Sequence, residues 1–159
     1  MKKIKHKKNK KTKNKKTVSN HKYLCYTNLL LGISFFYFVF NIHEETPYIE
    51  YVLASFLIVT IIFSQLFWNN PIKQSTIHKI DAIIAKIVIF SFIVYTLLYK
   101  FMLSFLFILF AIAISSYYSN YYSKQEWCSN HHLCWHGSLH IFCFIASFYA
   151  FFENKISPI

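Results

Sequence analysis

The chain has 159 residues, 55% of them apolar and 21% aromatic against 14% charged, and its mean hydropathy is positive. That balance excludes an ordinary soluble domain, in which roughly a quarter of the residues are charged. The net charge of +11 belongs almost wholly to one end, because 11 of the 17 lysines fall between Lys2 and Lys22 and arginine is absent.

Residues 1–22 therefore form a lysine-rich tail. Nucleic acid is not its expected partner, since neither a recognition module nor an arginine fork accompanies it. Beside a membrane, such lysines hold the N-terminus in the cytosol by the positive-inside rule. Two readings of the tail stay open: contact with anionic lipid, or a solvated disordered segment. Beyond it, a bilayer core about 30 Å thick needs roughly 20 apolar residues of helix. Such runs occur at residues 23–42, 51–68, 80–99, 101–118 and 133–152, with a short tail over 153–159. The first reads as a retained signal anchor, because a long basic stretch precedes it and no small-residue cleavage site follows. The third and fourth are separated only at Tyr99-Lys100, which predicts a tight hairpin.

Among the spans, helix breakers occur only at Gly32 and Gly137, so helices are expected rather than barrel strands. The fold class is all-α, a multi-pass membrane bundle of about five transmembrane helices with no visible internal repeat. Cys25, Cys128, Cys134 and Cys143 make no compact disulfide framework. Tyr117, Tyr118, Tyr121, Tyr122 and Trp127 read as an aromatic belt where the fourth helix leaves the membrane.

Five crossings bring the end of the second span and the starts of the third and fifth to the cytosolic face, and polar residues mark all three places. His132, His136 and His140 recur every four residues and so share one helix face, close enough in pairs for one metal ion. Hydrogen bonding to headgroups or neighbouring helices explains them equally well. Asp81 is costly inside a membrane helix unless it is paired or faces a polar cavity; His78 and Lys86 are the nearest partners. Ser64, with Gln65, stands at the end of the second span, where a serine also back-bonds to its own helix at little cost.

Ser64-Gln65-Leu66-Phe67-Trp68, Asp81 and His136-Gly137-Ser138-Leu139-His140 together resemble the CREST superfamily of membrane hydrolases, which includes the alkaline ceramidases and the progestin and adipoQ receptors. The resemblance implies zinc held by histidines, an aspartate that supports the attacking water, and a serine beside the reacting carbonyl of a lipid amide or ester. On it, Ser64 and Asp81 are the catalytic candidates and His136 and His140 the metal candidates, with His78 or His132 to supply a third ligand. Two departures accompany it: Trp68 stands where the family has its third histidine, and the family has seven helices. Two other functions fit the sequence: a noncatalytic membrane scaffold or accessory protein, and a small channel or transporter with Asp81 and the histidines along its path.

Overall fold

The computed structural model describes residues 20–100 and 103–152. Expectations for the lysine tail before Asn20 and for residues 153–159 lie outside the described residues. Five helices follow in order: α1 Lys22–Phe40, α2 Tyr48–Asn69, α3 Thr76–Tyr99, α4 Leu103–Gln125 and α5 Asn130–Phe151. All five are long and apolar enough to cross a membrane. Large apolar side chains such as Phe36, Ile62, Phe90 and Phe107 remain exposed around the bundle, as lipid-facing surfaces require.

The ends of the helices have local causes. Pro47, in extended backbone, precedes α2, and Asn70-Pro71 stops it, because proline has no N–H to extend a helix. Ser75 and Ser129 cap α3 and α5, each accepting a hydrogen bond from the backbone N–H three residues on. Both helices therefore begin earlier than hydropathy alone predicts. Helix α4 continues to Gln125 rather than stopping near Tyr118. The apolar run marks the depth of the hydrocarbon, whereas backbone hydrogen bonds carry a helix on through Ser119, Asn120 and Ser123.

Helix α1 runs parallel to α5. Thr27 meets His140 and Ser34 meets Ser147, seven residues further along both chains. The buried Ser34–Ser147 bond is one of the polar contacts that tie apolar helices together, worth about 0.6 kcal/mol in a membrane. Gly137 lets Tyr23 lie across α5, since an added Cβ would fall 2.5 Å from the tyrosine ring. A core of Leu31, Phe38, Leu53, Leu57, Phe92 and Phe151 joins α1, α2, α3 and α5, and a second of Phe105, Ile112 and Ala146 joins α4 to α5.

The short turn expected at Tyr99-Lys100 does separate α3, which ends at Tyr99, from α4, which begins at Leu103. Helix α5 packs against α4, α1 and α3, and α2 packs between α1 and α3, but α3 and α4 hardly touch among the described residues. Each has other partners. Lys100, at the end of α3, lies 3.5 Å from Glu50 on α2, and the Glu50 carboxylate also accepts a hydrogen bond from Tyr95. Helix α4 instead lays Phe105 and Ile112 on α5. Lys100, a departure from the lysine bias of the sequence, is thus matched by its own carboxylate.

Candidate functional site

The starts of α1, α3 and α5 and the ends of α2 and α4 share one face of the bundle, here called proximal. Helices α3 and α5 enter it through the same local motif. Gln74 and Cys128 adopt φ of 64° and 57°, and each is followed by a capping serine and, three residues after that serine, a histidine. His78 Nδ1 accepts from the Gln74 N–H at 3.0 Å, and His132 Nδ1 accepts from the Cys128 N–H at 3.2 Å. The serine and the histidine thus cap reciprocally, an Ser-x-x-His version of the capping box. Left-handed backbone costs about 1–2 kcal/mol at a residue other than glycine, and these bonds offset it.

Cys128 is part of that loop, and burial pushes its thiol up to about 11. The thiolate is the species that alkylates. At about pH 8, iodoacetamide should therefore modify the exposed Cys134 well before Cys128, with Cys128 catching up only as the pH approaches that value. Peptide mass spectrometry reads both rates, and equal rates at the lower pH would mean that the loop opens.

Helices α2 and α3 run antiparallel at one register. Phe67 stacks on His78 with ring centroids 4.7 Å apart, and Glu50 meets Tyr95 at the other end. Three residues further in from the Phe67–His78 pair, this register sets Ser64 level with Asp81. Helix α1 transfers the level to α5: the Gln65 side chain donates to the Cys25 carbonyl and the Asn28 side chain to that of Ile61, while Thr27 meets His140. Asp81 accordingly lies at a depth between those of His136 and His140. All six residues singled out by sequence, Ser64, His78, Asp81, His132, His136 and His140, line one cavity of about 460 Å³. That size suits a small molecule or one end of a lipid. Its lining comes from both α3 and α4, on either side of α5 where the two diverge.

No protein-family model, no curated protein and no solved structure matches the chain.

The four histidines differ in how they are held. His140 Nδ1 lies 2.9 Å from Thr27 Oγ1, whose single proton is given to the Leu24 carbonyl at 3.2 Å. With that proton on Leu24 the hydroxyl accepts from His140 Nδ1, the tautomer that would leave the Nε2 lone pair free. His136 Nδ1 lies 2.8 Å from Ser119 Oγ, a hydroxyl that serves either tautomer. His78 and His132 are opposite in sense, because an Nδ1 that accepts from an N–H places the proton of a neutral ring on Nε2.

Asp81 is 8% exposed and lines the cavity; of the two alternatives this is the one the structure takes, since among the described residues neither His78 nor Lys86 hydrogen-bonds or ion-pairs with it. His78 is turned toward Gln74 and Phe67, and Lys86 is exposed. Trp127, expected in the aromatic belt, packs among Phe67, Trp68, His78 and His132 and lines the cavity. Trp68, 1% exposed, lies 4.8 Å from the His136 ring. Among the described residues, no three His, Cys, Asp or Glu side chains stand close enough together to hold a metal ion as they are.

Thr27 and Ser119 were not legible as site residues, because isolated hydroxyls in apolar runs look like back-bonded serines and threonines. The twice-occurring Ser-x-x-His motif, Ser75 to His78 and Ser129 to His132, was visible in the sequence and marks both helix entries.

Proposed function

We propose that the chain is a divergent, shortened relative of the CREST membrane hydrolases that cleaves an amide or ester of a lipid at the cytosolic leaflet, with zinc held at His136 and His140. One observation carries this reading: Ser64, Asp81, His136 and His140 come from three helices to one depth of one cavity, and both histidines are tethered through Nδ1. The lysine tail supports placing this face in the cytosol.

The donors are of the kind zinc takes, but as they stand they are not close enough together to hold it. Two imidazoles and a carboxylate make up a known catalytic zinc set, and Asp81 is a buried carboxylate without a partner among the described residues. Zinc bound there would supply Lewis-acid polarisation of a carbonyl or of water. The remaining roles belong to the chain. Asp81 takes a proton from the attacking water, and Ser64 donates to the oxygen that gains charge. Water adds to the carbonyl carbon, the C–N or C–O bond breaks, and the amine or alcohol leaves with a proton as the fatty acid forms. Trp68 and Phe67 shield the site from bulk water.

Protein purified in detergent is expected to carry about one zinc per chain by mass spectrometry, and His136→Ala/His140→Ala should lose it together with hydrolysis of acyl-amide and acyl-ester lipids. Metal content unchanged in the double variant removes the reading. A second reading, a noncatalytic relative that keeps the cavity for lipid binding, is favoured by Trp68 at the third-histidine position. It predicts neither metal nor turnover.

A further inference from the structure

We infer that the cavity takes a single acyl chain, which enters sideways from the bilayer between α3 and α4 and ends on a floor formed by Phe92 and Phe105. The inference rests on the lipid substrate of the reading above and deepens it, but it needs neither zinc nor turnover.

The way in follows from which walls meet. Helices α3 and α4 both line the cavity, yet they hardly touch one another among the described residues. Lys86 on α3 and Asn120 on α4 line it and are exposed, as residues on a rim are. The proximal end is closed instead. Lys73 Nζ donates to the Ser123 carbonyl at 2.7 Å and lies 5.7 Å from the centre of the Trp127 ring, and Trp127 Nε1 donates to the Pro71 carbonyl at 3.4 Å. These contacts tie the loop between α2 and α3 to the end of α4 and to the loop that follows it. Beneath them Phe67, His78, Trp127 and His132 fill the mouth with packed rings. An occupant therefore arrives from lipid and not from water.

The depth fits one chain. Ser64, Asp81, His136 and His140 make the proximal part of the lining polar, and Ala85, Val88 and Ile89 carry the wall of α3 onward as apolar surface. Asp81 and Phe92 are separated by three turns of helix, about 16 Å. One leaflet of hydrocarbon is about 15 Å deep. A chain whose head stays level with Asp81 thus brings its methyl end to Phe92 without leaving its own leaflet.

Phe92 and Phe105 close that end at one depth. Phe92 meets Phe151 edge to face at 5.6 Å and Phe105 stacks on Tyr149 at 5.4 Å, so the last turn of α5 holds both rings. Beyond them lie Tyr95, Glu50 and Lys100, which bond to one another. Lipid tails are as apolar as the cavity, so a methylene gains little by moving in. The floor discriminates instead: a chain too long for it overpacks the end, at a cost of about tenfold in affinity.

The test uses full-length protein in lipid nanodiscs and fatty acids of graded chain length with a photoactivatable group at the methyl end, the crosslinked residues being read by mass spectrometry. Chains up to a limiting length should label the protein near Phe92, Phe105 and Ala146, with labelling about tenfold lower beyond that limit. Phe92→Ala and Phe105→Ala should move the limit to longer chains. Phe105→Leu, a smaller truncation that spares the fold, should move it less and in the same direction. Ala85→Trp, which fills the cavity above the floor, should lower floor labelling about tenfold or more. Lys73→Ala, which frees the proximal loops, should leave it unchanged. Labels confined to outward residues such as Phe90, Phe107 and Phe110 overturn the inference, as does a limit that no floor variant moves, or labelling that rises severalfold in Lys73→Ala. Lipid hydrolysis alongside any of these results keeps the reading above without this inference, and floor labelling with no turnover does the reverse.

Discussion

Trp68→His is expected to tighten zinc binding by about tenfold or more, equivalent to about 1.4 kcal/mol. The indole lies 4.8 Å from the ring of His136, so an imidazole on the same backbone sits beside the existing pair. Three imidazoles then suffice for the metal, as in other catalytic zinc sites. Without metal the substitution is destabilising, because Trp68 fills space among Phe67, Trp127 and His132, and shortening so large a buried ring costs on the order of 3 kcal/mol. Added zinc should recover part of that loss, so the thermal midpoint of the variant should depend on zinc more steeply than that of the wild type. A variant that is destabilised and gains no zinc affinity would mean that His136 does not bind metal.

Glu50→Gln is expected to destabilise the distal end of the bundle by about 3 kcal/mol. The Glu50 and Lys100 side chains are only 9% and 17% exposed, and Glu50 also receives the Tyr95 hydroxyl. Losing the carboxylate charge leaves a largely buried ammonium without compensation, which costs more than the pair itself contributes. Lys100→Met removes that ammonium. The double variant Glu50→Gln/Lys100→Met should therefore be more stable than Glu50→Gln alone, and the coupling is measurable as a double-mutant cycle of thermal stability in detergent. Additive losses would show that the two side chains do not act as a pair. Because Lys100 also anchors the end of α3, Glu50→Gln should let α3 approach α4, detectable as a shorter spin-label distance between them.

Much of this protein is written locally. Crossing a bilayer demands about twenty apolar residues whose backbone bonds close within the segment, so five runs of that length determine five helices, their order and which ends share a face. The same alternation brings Ser64, Asp81 and the histidines to the proximal face, and the four-residue spacing puts His132, His136 and His140 along one side of α5. Helix ends were read less well, since hydropathy is blind to a cap such as Ser75 and to a helix such as α4 that continues into polar sequence.

Tertiary packing alone decided the rest. Whether α3 and α4 form a close hairpin depends on rival partners, Glu50 for Lys100 and α5 for Phe105, that lie far away along the chain. Spacing shows that a histidine faces inward but not which of its nitrogens is free. That depends on what touches Nδ1: a backbone N–H for His78 and His132, a hydroxyl for His136 and His140. Thr27 and Ser119 reach those rings only because α1 and α4 flank α5 at one register. A hydrogen bond between residues so distant in sequence leaves no periodic trace.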